Sequence, residues 1–315
     1  MKICITGGTG FIGSALASYW QQQGHDVTVI TRRQPEQHSQ GDPEPQAREG
    51  AAPLAYLTWE QLAQPSSRGI KVDAVVNLAG TSLNQRWTGR AKDSILQSRL
   101  QTTDLTAKWV QSLNSKPEVV IQGSAVGIYG TSLTDTFDEN SQPEADDFLA
   151  NVTRQWETAA EDGFRGIRLV KLRTGVVLGN KGGAYPLMRL PILFGAGGKV
   201  GSGRQWVPWI HIHDIVALID FCVKNFEMNG AVNEVSPNPV TNDEFGRIVS
   251  RVHRRPYWLP LPSFALRTIL GEMSALLLEG QRVLPQAALR HGFHFQYPEL
   301  ESAAADLKKR AVSGA

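Results

Sequence analysis

Apolar and polar positions in the first thirty-three residues follow a strand, helix, strand order. Residues 1–6 form a short apolar run that is typical of a strand buried on both faces. Residues 14–24 combine spaced apolar positions with a closing glycine and predict a helix. A second apolar run, Val27–Ile30, predicts another strand. A glycine-rich turn separates the first strand from the helix, and three of its glycines are spaced three residues apart: Gly7, Gly10 and Gly13.

The rest of the chain continues this alternation, which predicts an α/β fold with a doubly wound parallel sheet. The predicted strands cover residues 54–57, 72–80, 118–130, 167–173, 207–213 and 230–236. The predicted helices cover residues 58–62, 91–113, 148–161, 215–224 and 242–252, with Thr58, Asp214 and Thr241 as N-caps. We see no internal repeat.

Glycine and proline positions divide the chain further. Residues 34–53 hold four prolines among polar residues, a composition that predicts a mobile insertion. From residue 180 onward, glycines and prolines interrupt the apolar segments. We therefore expect residues 1–179 to form a nucleotide-binding Rossmann domain to which 207–236 return. Residues 180–206 and 237–315 would form a smaller C-terminal substrate lobe.

The three N-terminal glycines have the spacing of a dinucleotide-binding turn. Gly7 permits a tight turn, Gly10 removes a Cβ where a pyrophosphate approaches, and Gly13 lets the helix pack on the strand. The pyrophosphate would lie at the helix N-terminus, where unpaired N–H groups favour an anion. A flexible turn is the plain alternative. A secretion signal is the other, but four glycines in seven residues would break its apolar helix.

The end of the second strand indicates which dinucleotide binds. NAD-binding proteins place a carboxylate there to hold the adenosine ribose, but this chain has Thr31, Arg32 and Arg33. Guanidinium groups favour a 2′-phosphate through charge-assisted hydrogen bonds. The sequence therefore predicts NADP(H), with two solvated loop arginines as the alternative.

Composition narrows the possible partners and the compartment. Charged residues make up 20% of the chain and the formal net charge is +2, which argues against nucleic acid or an anionic membrane as a partner. No apolar run approaches the ~20 residues that a membrane span requires. Cys4 and Cys222 lie in apolar segments and predict buried thiols, so we expect a cytoplasmic protein.

Polar residues near the predicted strand ends are candidates for a substrate site. Ser124 and Tyr129 follow a strand, where a hydroxyl and a phenol would serve carbonyl chemistry. Arg86 and Trp87 lie in a polar loop and would line the pocket, or form a surface cation–π pair. His211, with His213 and Asp214, suggests metal ligands, but no third well-spaced histidine or cysteine supports a metal site. We therefore expect His211 to line the pocket or to be hydrogen-bonded.

Several motifs together resemble the extended short-chain dehydrogenase/reductases, and more narrowly the epimerase-family proteins typified by YfcH. The match covers nearly the whole chain except the proline-rich insertion. The motifs are the glycine turn, Asn77–Gly80, Gly123–Gly130, Arg173–Gly179, Trp209–Asp214, and a C-terminal segment with Leu270–Pro285 and Gly292-Phe293.

This resemblance implies an NADP(H)-dependent oxidoreductase or epimerase acting on a small polar substrate such as a nucleotide sugar. The catalytic residue that it implies is Ser124. Tyr129, at the same sheet edge, is our candidate for a substitute proton donor, with a phenol that packs a turn as the alternative. Some relatives are labelled cell-division inhibitors. The implied cofactor-binding residues are Gly7, Gly10, Phe11, Ile12, Gly13, Thr31, Arg32, Arg33, Leu78, Ala79, Gly80, Arg99 and Val177.

The chain departs from the family at its proton relay. The family uses a tyrosine followed four residues later by a lysine, and alignment on Glu157 puts Leu149 and Thr153 at these positions. We expect Glu157 itself to be a surface or structural carboxylate. Two hypotheses follow: an enzyme in which Tyr129 replaces the tyrosine, or a catalytically degenerate protein that senses NADP(H).

Overall fold

A computed structural model describes residues 1–33, 54–142 and 144–313. The insertion predicted for residues 34–53 lies outside these ranges. In the described residues the strands are β1 (Lys2–Thr6), β2 (Asp26–Thr31), β3 (Ala55–Thr58), β4 (Ala74–Asn77), β5 (Val119–Ala125), β6 (Thr136–Phe137), β7 (Arg168–Thr174), β8 (Val176–Leu178), β9 (Trp206–Val207), β10 (Trp209–His211), β11 (Gly230–Glu234), β12 (Val240–Thr241) and β13 (Arg282–Val283).

The helices alternate with these strands over the first two thirds of the chain. They are α1 (Phe11–Gln22), α2 (Trp59–Leu62), α3 (Gly89–Ser112), α4 (Phe148–Gly163), α5 (Tyr185–Leu193), α6 (Ile212–Lys224), α7 (Asn242–His253), α8 (Ser263–Leu270), α9 (Ala275–Leu278), α10 (Gln286–Arg290) and α11 (Leu300–Ser313). None of the helices in the described ranges is long and apolar enough to span a membrane.

Seven parallel strands form the central sheet in the order β11-β7-β5-β4-β1-β2-β3. The chain builds outward from β1 to β3, then crosses to β4 and builds toward β11. The strand order therefore reverses between β1 and β4, where open α/β sheets bind their ligands at the carboxyl ends of the strands. The doubly wound sheet predicted from the sequence is confirmed.

Alternating side chains of the strands pack under helices on both faces of the sheet. Ile3 and Ile5 of β1 share one core with Trp20 of α1 and with α6. Cys4, between them, points to the other face and packs with Trp109 of α3 and with α4. Burial on both faces explains why the strands are almost continuously apolar. Cys4 and Cys222 are both free and buried.

Two of the three predicted helix caps are present, and the third is wrong. Thr58 and Thr241 each accept a backbone hydrogen bond within a capping box. Helix α6 begins at Ile212, so its N-cap is His211, whose Nδ1 accepts from the amide of His213. Asp214 lies inside the first turn and accepts hydrogen bonds from the amides of Gln296 and Tyr297.

The C-terminal segment contacts residues that follow two of the strands. Gln281 donates to the carbonyl of Val126, directly after β5, and α11 packs on α7. Asn180, which follows β8, donates to the carbonyl of Leu307 in α11. Since β11 joins the central sheet, we propose that residues 1–179 and 207–236 form the nucleotide-binding domain, and the remaining C-terminal residues the substrate lobe.

Candidate active site

The turn between β1 and α1 has the shape that a pyrophosphate requires. Gly7 adopts a φ of +72°, which favours glycine, and a Cβ on it would lie 2.8 Å from the amide nitrogen of Ala79. A Cβ on Gly13 would lie 2.3 Å from the carbonyl oxygen of Gly7. Both glycines thus permit close backbone contact. Gly10 is the N-cap of α1 and no side chain caps the helix, which leaves its first amides available to an anion.

A second group of glycines, which the sequence did not lead us to expect as part of the site, surrounds Phe11. Cβ atoms on Gly179 and Gly182 would lie 2.5 and 2.7 Å from the Phe11 ring, and one on Gly183 would lie 3.0 Å away. The ring of Phe11 therefore fills a space in the loop between β8 and α5. This contact joins the helix of the glycine turn to the start of the proposed substrate lobe. Val177 precedes this loop and is buried.

The residues predicted to select the nucleotide lie at the end of β2. Thr31 is the last residue of the strand, and its hydroxyl donates to the carbonyl of Arg33 at 2.7 Å. Arg32 and Arg33 are both exposed. Their guanidinium groups are thus accessible to a phosphate at the carboxyl edge of the sheet.

Arg99 of α3 reaches the turn that follows β4. Its Nη1 donates to the carbonyls of Thr81 and Ile95 at 3.1 and 3.0 Å, and its guanidinium lies 5.1 Å from the ring centre of Trp156. Burial lowers the pKa of Arg99 to about 10. A Cβ on Gly80 would lie 3.3 Å from the Arg99 side chain, so this glycine keeps room for the arginine. Leu78 and Ala79, just before it, are half-buried.

Ser124, at the end of β5, belongs to a buried network of charges. Its hydroxyl donates to Oε1 of Glu157 at 2.6 Å. Arg173 of β7 donates to both oxygens of Glu157 at 2.9 and 3.0 Å. Lys171 lies 3.0 Å from Oε2 of Glu157 and 2.5 Å from Oε1 of Glu161. Burial by itself would raise the pKa of Glu157, but the two cations outweigh it and lower the pKa.

Tyr129 lies on the opposite side of Arg173 from Glu157. Its hydroxyl donates to Oδ1 of Asn233 and accepts from Nη1 of Arg173, both at 2.8 Å. Its ring stacks on Phe137, and the residue is only 4% exposed. Burial raises the pKa of Tyr129 to about 12 against the opposing effect of Arg173. The structure thus corrects the expectation that Tyr129 donates a proton at the sheet edge. Its ring is packed, and its hydroxyl is already hydrogen-bonded to two residues.

Leu149 and Thr153, which we expect from the sequence at the positions of the family's tyrosine and lysine, make aliphatic and backbone contacts. A Cβ on Gly127 would lie 3.2 Å from Cβ of Leu149, so Leu149 packs against the turn that follows β5. Thr153 is buried and its hydroxyl donates to the carbonyl of Leu149 at 2.8 Å. Neither side chain can transfer a proton to a substrate from this arrangement.

The three residues expected to line the pocket differ in exposure. Arg86 is exposed. Trp87 is buried, its indole N–H donates to the carbonyl of Leu83, and its ring packs edge-on against Phe148 at 5.2 Å. The expectation that Trp87 lines a pocket is therefore corrected: it anchors its own loop. The alternative of an exposed cation–π pair with Arg86 does not fit a buried indole either.

His211 is likewise an interior residue rather than a pocket residue. It is 0% exposed. Its Nδ1 caps α6, its Nε2 lies 3.3 Å from Asp306, and its ring packs at 4.1 Å on Tyr297. Burial and the nearby His213 lower the pKa of His211 to about 3, so the ring is neutral. No cluster of three or more metal-ligating side chains occurs in the described ranges.

Sequence reasoning missed the ion pairs around Ser124, although a signal for them is present. Glu157 and Glu161 are four residues apart on a helix, and Lys171 and Arg173 are two apart on a strand. Both spacings put side chains on one face. We expected Glu157 to be either a surface carboxylate or a structural one. It is a structural carboxylate, because it is buried.

Comparison with family models agrees with this architecture. Residues 3–234 match the NAD dependent epimerase/dehydratase family. Residues 261–307 match a family described as a domain of unknown function (DUF1731).

Individual relatives resemble the chain over nearly its whole length. The epimerase family protein YfhF of Bacillus subtilis is 42% identical, with 98% of both chains covered. The crystal structure of human epimerase family protein SDR39U1 (isoform 2) with NADPH has a TM-score of 0.87 and 35% identity, over 98% of this chain and 99% of that one. A nucleoside-diphosphate sugar epimerase from Corynebacterium glutamicum has a TM-score of 0.71 and 29% identity, over 98% of this chain and 58% of that one. The narrower resemblance to YfcH stays a prediction.

Proposed function

Since the chain belongs to the NAD dependent epimerase/dehydratase family, we propose that it is an NADP(H)-dependent oxidoreductase or epimerase of a small polar substrate such as a nucleotide sugar. The observation that carries this proposal is the position of Ser124, at the carboxyl end of β5 and bonded to an ionised carboxylate. The C. glutamicum relative, a nucleoside-diphosphate sugar epimerase, supports the substrate class.

The choice of NADP(H) is supported by the shape of the glycine turn and by the exposed arginines after β2. The uncapped amides of α1 would hold the pyrophosphate, and Arg32 and Arg33 would hold the 2′-phosphate. Human SDR39U1, of similar structure, was solved with NADPH. When bound, the nicotinamide supplies or accepts the hydride. The groups expected to line the rest of the cofactor are Phe11, Ile12, Leu78, Ala79, Gly80, Arg99 and Val177.

In this mechanism the protein's own groups position the substrate and handle its proton. Ser124 contacts the reacting oxygen of the substrate at the sheet edge. Glu157 holds the Ser124 hydroxyl in one orientation. Arg86, which is exposed on the loop after β4, would contact an anionic part of the substrate. Tyr129 takes no part in the reaction in this mechanism, because its hydroxyl is already hydrogen-bonded to Asn233 and Arg173.

A panel of sugar aldehydes, ketoses, 2-oxo acids and UDP-sugars tests the proposal through consumption of NADPH or formation of an epimer. We expect turnover with at least one member and its near-complete loss in Ser124→Ala. Tyr129→Phe should retain turnover. If Tyr129→Phe abolished turnover while its unfolding curve stayed unchanged, Tyr129 would be the proton donor and Ser124 only an orienting group.

A second function, NADP(H) sensing without catalysis, is favoured by one observation. Leu149 and Thr153 are packed, non-acidic groups, and alignment on Glu157 puts them at the positions expected for the family's tyrosine and lysine. In that case the protein would pass its nucleotide state to a partner, for example one concerned with cell division. It would bind NADPH tightly and turn over no member of the panel, and any reproducible product would eliminate this alternative.

A further inference from the structure

Two segments of the C-terminal lobe concentrate positive charge. Residues 181–205 and 245–271 together contain nine lysines and arginines and no aspartate or glutamate. The rest of the chain carries 23 basic and 30 acidic residues. The net charge of +2, which argues against an anionic membrane as a partner, is therefore the average of a basic region and an acidic remainder.

The same two segments expose large apolar side chains. They contain eight of the fourteen that are exposed in the described ranges, among them Leu187 and Leu190. Phe194, Trp258 and Phe264 are 81%, 66% and 72% exposed. With about 200 Å² for a whole aromatic side chain, these three alone expose about 400 Å², an area at which an apolar patch marks an interaction site.

Hydrogen bonds hold the two segments side by side. The indole N–H of Trp258 donates at 3.0 Å to the carbonyl of Gly195, the residue after Phe194. The amide of Leu261 donates at 2.9 Å to the carbonyl of Lys199, and α8 begins two residues after Leu261. Their exposed residues thus belong to one region of the surface. We call it the basic apolar surface and define it by Phe194, Arg254, Arg255, Trp258, Phe264 and Arg267.

The arginines of the basic apolar surface are available to an anion. Arg254, Arg255 and Arg267 are exposed, and their side chains form no ion pair within the part of the chain that the structure describes. The first acidic residue after them is Glu272, which pairs with Lys92. Guanidinium groups bind phosphates through charge-assisted hydrogen bonds. The surface therefore combines groups that bind phosphate with groups that avoid water.

We propose that the basic apolar surface docks the protein on an anionic phospholipid bilayer. Its aromatic rings would lie at the boundary between headgroups and acyl chains, where such side chains are favoured, and its arginines would contact the headgroup phosphates. The same bilayer would repel the acidic remainder of the chain, which orients this face toward it. The inference goes beyond the proposed function and does not depend on turnover.

Three other occupants fit the surface less well. A two-fold dimer would place the arginines of one copy opposite those of the other. Nucleic acid bases would stack on the aromatic rings but leave the exposed Leu187, Leu190 and Leu261 without an apolar partner. A folded acidic protein would need pockets of matching shape for the rings, whereas a fluid bilayer admits protruding rings without a preformed pocket.

Sedimentation with vesicles tests the proposal. The wild type should bind vesicles of equal parts phosphatidylglycerol and phosphatidylcholine but not vesicles of phosphatidylcholine alone, and added salt should weaken the binding. Arg254→Gln combined with Arg255→Gln should weaken it about twentyfold to thirtyfold, because each cation near an anionic bilayer contributes about a factor of five. The matched control is Arg68→Gln combined with Arg290→Gln, at two exposed arginines outside the surface, which should bind like the wild type.

The aromatic rings are tested separately. Phe264→Ser should weaken vesicle binding by about tenfold or more, because a phenylalanine ring no longer leaves water. Phe226→Ser, at a similarly exposed ring outside the surface, should not. Vesicles whose acyl chains carry bromine should quench part of the wild-type tryptophan fluorescence. Trp258→Phe should still bind these vesicles but lose most of the quenching.

Several outcomes would overturn the proposal. One is that the wild type does not bind the anionic vesicles, and another is that the two double arginine variants bind them alike. A wild-type dimer that Phe264→Ser converts to a monomer in analytical ultracentrifugation would assign the surface to a second copy instead. Tighter binding to oligothymidylate than to the vesicles would assign it to nucleic acid. None of these measurements uses turnover, so the proposed function is tested independently.

Discussion

The strand order of the sheet reverses between β1 and β4. The candidate site uses backbone groups on one side of this point and side chains on the other. On the side of β1 and α1, backbone amides would contact the nucleotide. Gly7 and Gly13 have no side chains, which lets the backbone pack closely there. On the side of β5 and β7, the site consists of side chains: Ser124, which would contact the substrate, and the buried ion pairs around Glu157.

This difference shows which part of the site tolerates sequence change. A backbone cradle depends on a few glycines close together in the chain, so its geometry is fixed by a short stretch of sequence. The other side depends on side chains from three separate elements, which can be exchanged for a different set.

The largest expected effect is on the ion pairs of the β5 and β7 side. Arg173→Met leaves the buried carboxylate of Glu157 with one cation fewer, and we expect the free energy of unfolding to fall by about 3–5 kcal/mol. Denaturant titration measures this. Arg165→Met, which breaks an exposed pair with Asp162, should cost less than about 1 kcal/mol. Equal losses for the two variants would show that the buried network has no special role.

The next effect tests the backbone cradle. In Gly13→Ala the new Cβ would meet the carbonyl oxygen of Gly7 at 2.3 Å, so the turn or the helix must move. We expect the Kd for NADPH to rise by about a hundredfold or more, which corresponds to about 2.7 kcal/mol. Gly69→Ala is the control, because nothing lies near its Cβ position. Unchanged NADPH fluorescence titrations for Gly13→Ala would place the nucleotide elsewhere.

Arg32→Ala tests whether Arg32 binds the 2′-phosphate of NADP(H). Loss of one charge-assisted contact should weaken NADPH binding by about tenfold to a hundredfold and leave NADH binding nearly unchanged. Arg68→Ala, at another exposed arginine, should change neither. If both nucleotides weakened equally, the arginine would contribute only a general positive charge.

The last effect concerns the pH dependence of stability and rests on Glu234, at the end of β11 beside Thr174. Burial raises the pKa of Glu234 from 4.5 to about 8 in the folded protein, against the opposing hydrogen bond from Thr174. The folded state therefore binds more protons than the unfolded state between pH 4.5 and 8, and stability falls as pH rises. This group should contribute a loss of about 1.4 kcal/mol per pH unit over that window.

Glu234→Gln removes the titration and provides the control. Denaturant curves between pH 5 and 8 should show a shallower decline in stability for the variant than for the wild type. Parallel pH profiles would mean that Glu234 stays ionised in the folded protein.

The elements that the sequence predicted well are those fixed by local physics. Gly7, Gly13 and the helix between the first two strands follow from backbone sterics within a few residues. Thr58 and Thr241 cap their helices with a partner three residues away. The alternating pattern of β1, with Cys4 on one face and Ile3 on the other, follows from strand geometry.

The features that it predicted poorly depend on contacts between distant residues. Trp87 is covered by Phe148, and His211 is covered by Tyr297 and Asp306. Tyr129 accepts a hydrogen bond from Arg173, 44 positions away, and donates one to Asn233, 104 positions away. A polar or aromatic residue at a strand end is compatible with either a pocket or an interior, and only its distant neighbours decide between them.

The bonds of Asp214 constrain the order in which the molecule can be completed during synthesis. Its carboxylate accepts from the amides of Gln296 and Tyr297, and Asn180 depends on the carbonyl of Leu307. The last strand of the central sheet ends at Glu234, so the sheet strands are synthesised before the partners of these polar groups. A nascent chain stalled before Gln296 would therefore carry a finished sheet with unsatisfied interior groups, and we expect chaperones and proteases to recognise it until the last segment arrives.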